Sequence, residues 1–206
     1  MSCYLLERGA GVDCDDLPIG GTEARIILIN YDDVNYIRTL NGRITEIALN
    51  PGKVGYEFFG FRQDVRKGED VVETNLKNRF RHLAEFVIYD ITQIQKNNIR
   101  KLAKGRFMAI VENRGKDEDS FELLGRECGL KLTSGMLREN GNEFKISLST
   151  PDNGVEYERK LPQSFEGTYT EISDYIDTLL DSSPWILADG TWNDSGIWID
   201  TEVWID

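Results

Sequence analysis

The chain has 206 residues, a formal net charge of −12 and 40% hydrophobic residues, a composition that fits a packed globular core. No apolar run reaches membrane-spanning length, and the N-terminus (MSCYLLERGAG) lacks the basic-then-apolar pattern of a signal peptide, so the sequence predicts a protein made in the cytoplasm. Cys3, Cys14 and Cys128 are odd in number and lack metal-ligand spacing, which excludes a disulfide framework or zinc-finger class and predicts free thiols.

The charge is unevenly distributed along the chain. All 24 lysines and arginines lie at or before Lys160, whereas the segment from Leu161 to Asp206 carries ten acids and no base. Because those ten acids supply ten of the twelve net negative charges, the first 160 residues are nearly neutral, at −2. An acidic tail of this kind repels nucleic acid and membrane surfaces and is attracted to basic protein surface.

The first part of the chain predicts an N-terminal arm followed by strands. Residues 1–22 read as an arm or loop, because Gly, Asp and Pro are mixed through them. Short apolar or alternating runs then predict strands at Ala24–Tyr31, Arg43–Asn50 and Val54–Phe61. Residues 71–90 predict one long strand, or a hairpin around Lys77-Asn78.

The middle of the chain changes from a strand pattern to a helix pattern and back. Apolar residues at helical spacing predict a helix near 91–104, capped by Asp90 or Thr92 and ended by Gly105. Further strands are predicted at Phe107–Asn113, Phe121–Glu127, Phe144–Thr150 and Val155–Leu161, the last two as a pair. The body, residues 23–165, is therefore predicted to be a mainly β, antiparallel β-sandwich or barrel with one packed internal helix.

A second helix is predicted at 166–183. Thr168 and Glu171 have the spacing of a capping box. One apolar stripe follows at helical spacing, formed by Ile172, Tyr175, Ile176, Leu179 and Leu180.

The chain ends in a tryptophan and aspartate repeat, GTWNDSGIWIDTEVWID. Residues 197–206 alternate strictly between β-branched residues and Trp or acidic residues, a pattern typical of a strand. This strand is either the last strand of the protein's own sandwich or part of an arm, residues 184–206, that pairs with a neighbouring subunit. The arm is favoured because the helix and Ser-Ser-Pro before it can carry it away from the body. The predicted interface residues are Trp192, Ile197, Trp198, Ile199, Val203, Trp204 and Ile205.

The internal helix has a basic face. Lys96, Arg100, Lys101 and Lys104 form it, and we expect it to be a dock for the acidic tail of the same or an adjacent chain. A solvated helix face and a phosphate contact are the other interpretations.

The sequence offers little chemistry. His82 is the only histidine, and no nucleophile-elbow, zinc-protease, Walker-type or dinucleotide-binding motif occurs. Asp194, Asp200 and Asp206 are six residues apart, a spacing that matches no compact calcium-binding loop. We therefore predict a protein that is not an enzyme and has no catalytic, cofactor-binding or metal-binding residues.

The layout resembles structural proteins of tailed phages and prophages of Bacteroides-type bacteria, including the crAss-like phages. The resemblance rests on the opening MSCYLLERGAGVDCDDLPIGGTEARIILINYDDV, on the strand-rich body with a helix after Tyr89-Asp90, and on FMAIVEN after that helix. It covers roughly residues 2–165, and the layout is also similar to the tail-tube fold.

This resemblance implies a virion structural protein, a tail-tube or tail-barrel ring subunit. It implies a hexameric or dodecameric homo-oligomeric ring around the DNA channel, adjacent tail proteins as partners, and location in the virion tail. DNA would pass without specific binding, and no cofactor or membrane is implied. Two other classes remain open: a head-decoration or glycan-binding adhesin-like module using the tail tryptophans, and an enzyme centred on His82.

Overall fold

A computed structural model of the protein describes most of the body and parts of the tail. The described residues are 22–59, 65–73, 78–89, 93–114, 119–137, 143–151, 158–180, 186–187, 190–192 and 198–200. Within these ranges the protein is mainly antiparallel β with two α-helices, so the predicted mainly β class is confirmed.

The strands are β1 Thr22–Asn30, β2 Val34–Leu40, β3 Arg43–Leu49, β4 Tyr56–Phe59, β5 Arg66–Glu73, β6 Asn78–Tyr89, β7 Phe107–Asn113, β8 Phe121–Leu124, β9 Lys131–Leu137, β10 Glu143–Ser149, β11 Gln163–Ser164, β12 Ile186–Leu187, β13 Gly190–Trp192 and β14 Trp198–Asp200. The helices are α1 Gln93–Leu102 and α2 Tyr169–Leu179.

The strands are arranged in two larger and two smaller sheets. The five-stranded sheet has the order β11-β8-β7-β1-β4, and the four-stranded sheet has the order β5-β6-β10-β9. β2 and β3 form a hairpin, and β12, β13 and β14 form a three-stranded sheet. In each larger sheet the first and last strands do not pair with each other, so neither sheet closes into a barrel. The barrel alternative is therefore wrong for the described strands.

Two buried clusters lie on opposite faces of the five-stranded sheet. The first joins it to the four-stranded sheet and α1, through residues such as Leu28, Phe86 and Leu102. The second joins it to α2 and the β2–β3 hairpin, through residues such as Ile27 and Ile176. Because β1 is covered on both faces, its apolar run is continuous rather than alternating.

The two helices form where the sequence predicts them. The capping box of α2 is present, because Thr168 and Glu171 bond each other's backbone N–H groups. The predicted stripe faces the second cluster, with Ile172, Ile176 and Leu179 buried. The predicted caps of α1, Asp90 and Thr92, lie outside the described residues.

Some strand predictions are confirmed and others are wrong. The hairpin alternative for residues 71–90 is confirmed, because β5 pairs with β6 and Glu73 lies opposite Asn78, but β5 begins five residues earlier than predicted, at Arg66. The expected pairing of Phe144–Thr150 with Val155–Leu161 is wrong, because β10 has β6 on one side and β9 on the other. Glu158 instead forms an antiparallel bridge with Phe80 of β6. β2 and β9 are additional strands that the sequence analysis did not assign.

No helix among the described residues is long and apolar enough to cross a membrane.

Candidate functional site

The predicted arm is described in part, and there it forms a small sheet of its own. β14 pairs with β13 so that Trp192 lies opposite Trp198 and Gly190 lies opposite Asp200. β13 also pairs with β12. The structure thus brings two of the predicted arm tryptophans to one register position. Of the other arm residues, Ile199 lies in β14, and Ile197, Val203, Trp204 and Ile205 lie outside the described residues.

Three of the four residues of the predicted basic dock lie at the C-terminal end of α1 or just beyond it. Arg100, Lys101 and Lys104 are exposed there, and Lys96 belongs to the same helix. The ion pairs formed within the described ranges use other cations, such as Arg25, Arg43 and Lys67. Cations at a helix C-terminus are favoured by the helix dipole, so this end of α1 is a stable site of positive charge.

An apolar groove opens beside this basic helix end. Its volume is about 220 Å³. It is lined by Leu28, Asn30, Tyr56, Phe58, Lys101, Leu102, Gly105 and Phe107. Most of this lining is apolar, and Tyr56 is 50% exposed. The groove therefore places an accessible aromatic surface next to a lysine.

Gly105, which the sequence predicts as the helix-ending glycine, contributes to the groove by its small size. A Cβ at this position would overlap the ring of Phe107. Gly105 is therefore explained by the close approach of Phe107 at the end of α1.

The groove adjoins an open sheet edge. β4 is the last strand of the five-stranded sheet, and its inner side pairs with β1. On its outer side, the described residues provide one neighbour, at Gly55, whose N–H donates to the Leu179 carbonyl at 2.7 Å. Unpaired strand edges are templates for pairing with another chain.

A second concentration of polar groups is buried around His82 in β6. The His82 side chain is 1% exposed. Its Nδ1 accepts a hydrogen bond from the Gly125 N–H at 3.1 Å, and its Nε2 donates to the Lys160 carbonyl at 2.9 Å. This geometry fixes the neutral tautomer that carries the proton on Nε2. Burial lowers the pKa of His82 to about 4.

Glu158 is the buried carboxylate of the same region. Its oxygens accept hydrogen bonds from the backbone N–H groups of Glu127 and Cys128, each at 2.9 Å. Burial raises the pKa of Glu158 despite these bonds. Because Glu158 also forms a bridge with Phe80, it fastens the turn at 126–128 to β6.

The polar side chains of this cluster, His82 and Glu158, are engaged in hydrogen bonds with the backbone. Both ring nitrogens of His82 bond to backbone groups, so neither is free to take a proton from a substrate. The sequence shows His82 as the only histidine but gives no indication of its partners, which come from segments more than 40 residues away. Among the described residues, no group of three His, Cys, Asp or Glu side chains is placed to hold a metal ion.

Comparison with known proteins gave no match to a protein family, to a curated protein or to a solved structure. The described geometry defines the protein at a coarse level. It is a mainly antiparallel β protein in which, as far as the described residues go, the edge strand β4 pairs along one side only, and an apolar groove and a basic helix end lie beside it.

Proposed function

We propose that the protein is a structural subunit of a phage virion, a tail-tube or tail-barrel ring subunit that forms a homo-oligomeric ring around the DNA channel. The resemblance of residues 2–165 to such proteins supports this proposal. A buried cluster shared by the two larger sheets and α1 also supports it, because a β-sandwich with a packed helix would have a core of this kind.

One observation carries the proposal: the open edge of β4, the apolar groove and the basic end of α1 adjoin one another. Exposed edges and apolar patches are hazards for a monomer, and assembled proteins bury them in subunit interfaces. In a closed ring, each copy presents such a surface to the next copy, so the same patch is used repeatedly.

The polar cluster favours a structural protein over an enzyme centred on His82. Its hydrogen bonds join β6 to the 125–128 turn and to the 158–160 segment. These contacts account for the burial of both His82 and Glu158 without a substrate.

Native mass spectrometry of the full-length chain tests the proposal. We expect a hexamer, a dodecamer or an open polymer. A chain truncated before Pro184 should keep its far-ultraviolet circular dichroism but no longer assemble, because the proposed arm is missing. A full-length chain that stays monomeric over a wide concentration range would contradict the proposal.

A matched variant separates the contribution of the tail tryptophans to assembly from the contribution of the tail acids. Trp192, Trp198 and Trp204 are replaced by Ser, which keeps the length and every acid of the tail. We expect this variant to behave as the truncated chain does, because buried tryptophans commonly dominate interface energy. Assembly that depends on the acids alone would survive the replacement.

A further inference from the structure

We infer that the apolar groove beside α1 receives a tryptophan of the C-terminal tail of a second copy, with tail acids facing Arg100, Lys101 and Lys104. This inference rests on the proposed function and gives it a specific contact between subunits.

The size and lining of the groove fit one aromatic side chain. A cavity of about 150 Å³ already admits a benzene ring, and this groove measures about 220 Å³. Phe58, Leu102 and Phe107 supply apolar walls, while Asn30 offers a polar group within the lining. A tryptophan has an apolar body and one N–H donor, and it is buried most favourably where both are accommodated.

The charge at the rim selects an acidic partner. Arg100, Lys101 and Lys104 are exposed, and Lys101 is itself part of the groove lining. The tail places an aspartate two residues after each of Trp192, Trp198 and Trp204, and no base occurs after Lys160. Residues two apart share a face of a strand, so β14 places Trp198 and Asp200 on the same face.

The tail needs a surface on which to pack. Its sheet consists of strands of two or three residues, and so small a sheet is not stable in water unless it packs against another element. β14 lies at the edge of that sheet, so it can extend the pairing to another edge such as that of β4.

The position of Leu180 favours the tail of a second copy. Leu180 packs against the cluster formed by α2, and its bridge to Gly55 places it beside the outer edge of β4. Leu28, Phe58 and Phe107 of the groove belong to the opposite cluster. Leu180 therefore packs on the face opposite to the groove, and this favours the tail of an adjacent copy as the occupant.

Photo-crosslinking in the full-length chain tests whether the tail of a second copy lies in the groove. Benzoylphenylalanine is placed at Trp198, and ¹⁵N-labelled and unlabelled chains are mixed before irradiation. We expect hybrid covalent dimers whose crosslinked peptide maps to residues 98–107 or 55–59. The same probe at Thr170, an exposed position of α2, is the control. Crosslinks that map elsewhere, or only within one chain, would overturn the inference.

Substitutions in the groove provide an independent measurement. Lys101→Glu and Tyr56→Ala should each weaken assembly by at least about tenfold, because like charges at an interface and lost aromatic contacts oppose binding. Lys131→Glu makes the same charge change at an exposed position of β9 and should leave assembly unchanged. If all three variants assemble as the wild type does, the groove inference fails while the proposed ring subunit stands. If the wild type itself does not assemble, the proposed function fails.

Discussion

At the scale of single residues, one buried histidine joins three separate parts of the chain. His82 lies in β6, Gly125 follows β8 and Lys160 precedes β11. The backbone of His82 also exchanges bonds with Thr150, at 3.0 and 3.1 Å. Since the ring and the backbone are both fully used, His82 serves as a junction between the two larger sheets.

Protonation of His82 should destabilise the fold. Burial lowers its pKa from 6.5 to about 4, so the unfolded chain binds the proton more tightly than the folded one. The contribution of His82 to the free energy of unfolding is therefore fully present above pH 6.5 and is lost as the pH falls toward 4. The full loss is about 3 kcal/mol. The raised pKa of Glu158 acts in the opposite direction, because its protonation favours the folded state.

The variant His82→Gln separates the contribution of His82 to the pH dependence of stability from the contribution of Glu158. We expect it to lose about 1–3 kcal/mol at pH 7 and to have a flatter stability profile between pH 6.5 and 4 than the wild type. Urea unfolding at several pH values measures both quantities. Identical slopes for the two chains would show that His82 does not titrate as described.

Replacing Glu158 tests the anchor of the 126–128 turn. Glu158→Gln keeps the shape but leaves one acceptor oxygen where two accept N–H groups from Glu127 and Cys128. We expect a loss of about 1–3 kcal/mol in the free energy of unfolding, although a buried charge is removed. Asp174→Asn, at an exposed position of α2, should change stability little. Equal effects of the two substitutions would contradict the anchoring role.

At the scale of elements, the capping box should matter to α2 and therefore to the second cluster. Thr168→Ala removes the side-chain acceptor for the Glu171 N–H, and we expect a loss of about 1 kcal/mol. Thr170→Ala, two residues further on and exposed, should be neutral or slightly stabilising because alanine is the better helix former. Thermal unfolding of both variants measures the difference, and equal midpoints would rule out the cap as a source of stability.

The elements that sequence predicts best are those whose signals are local. The cap and stripe of α2, the doubly buried β1 and the β5–β6 hairpin are examples. β9 was missed because its sequence KLTSGML contains Gly135 and lacks an apolar alternation. A Cβ at Gly135 would press against the Phe144 ring, so the glycine is explained only by the neighbouring strand.

The groove illustrates the same limit for the candidate site. The basic residues of α1 recur at helical spacing and are visible in the sequence. The groove beside them is formed by β1, β4 and the end of α1, which are distant in sequence. Only the pairing of β4 with β1 brings Tyr56 and Phe58 to Lys101, and no local pattern encodes that pairing.

At the scale of the whole molecule, charge and apolar surface are divided between body and tail. The first 160 residues are nearly neutral and carry every base, whereas the remainder carries ten acids. Four of these acids, Glu166, Glu171, Asp174 and Asp177, lie at or in α2. Two of them bond to the body, since Asp177 pairs with Arg25 and Glu166 with Arg43. Six further acids follow α2 in the sequence, and these are the acids that we propose for the contact with an adjacent subunit.

This division predicts that assembly depends on salt. If tail acids face Arg100, Lys101 and Lys104, raising the ionic strength from about 0.05 to 0.5 M should weaken association, because exposed charges are screened. Light scattering across a salt series measures the effect. Lys101→Gln removes one of the charges and should flatten the dependence, whereas Lys131→Gln should not. A contact held by tryptophan burial alone would be unchanged or strengthened by salt, and a wild-type series with that outcome would remove the acids from the interface while leaving the groove as its apolar part.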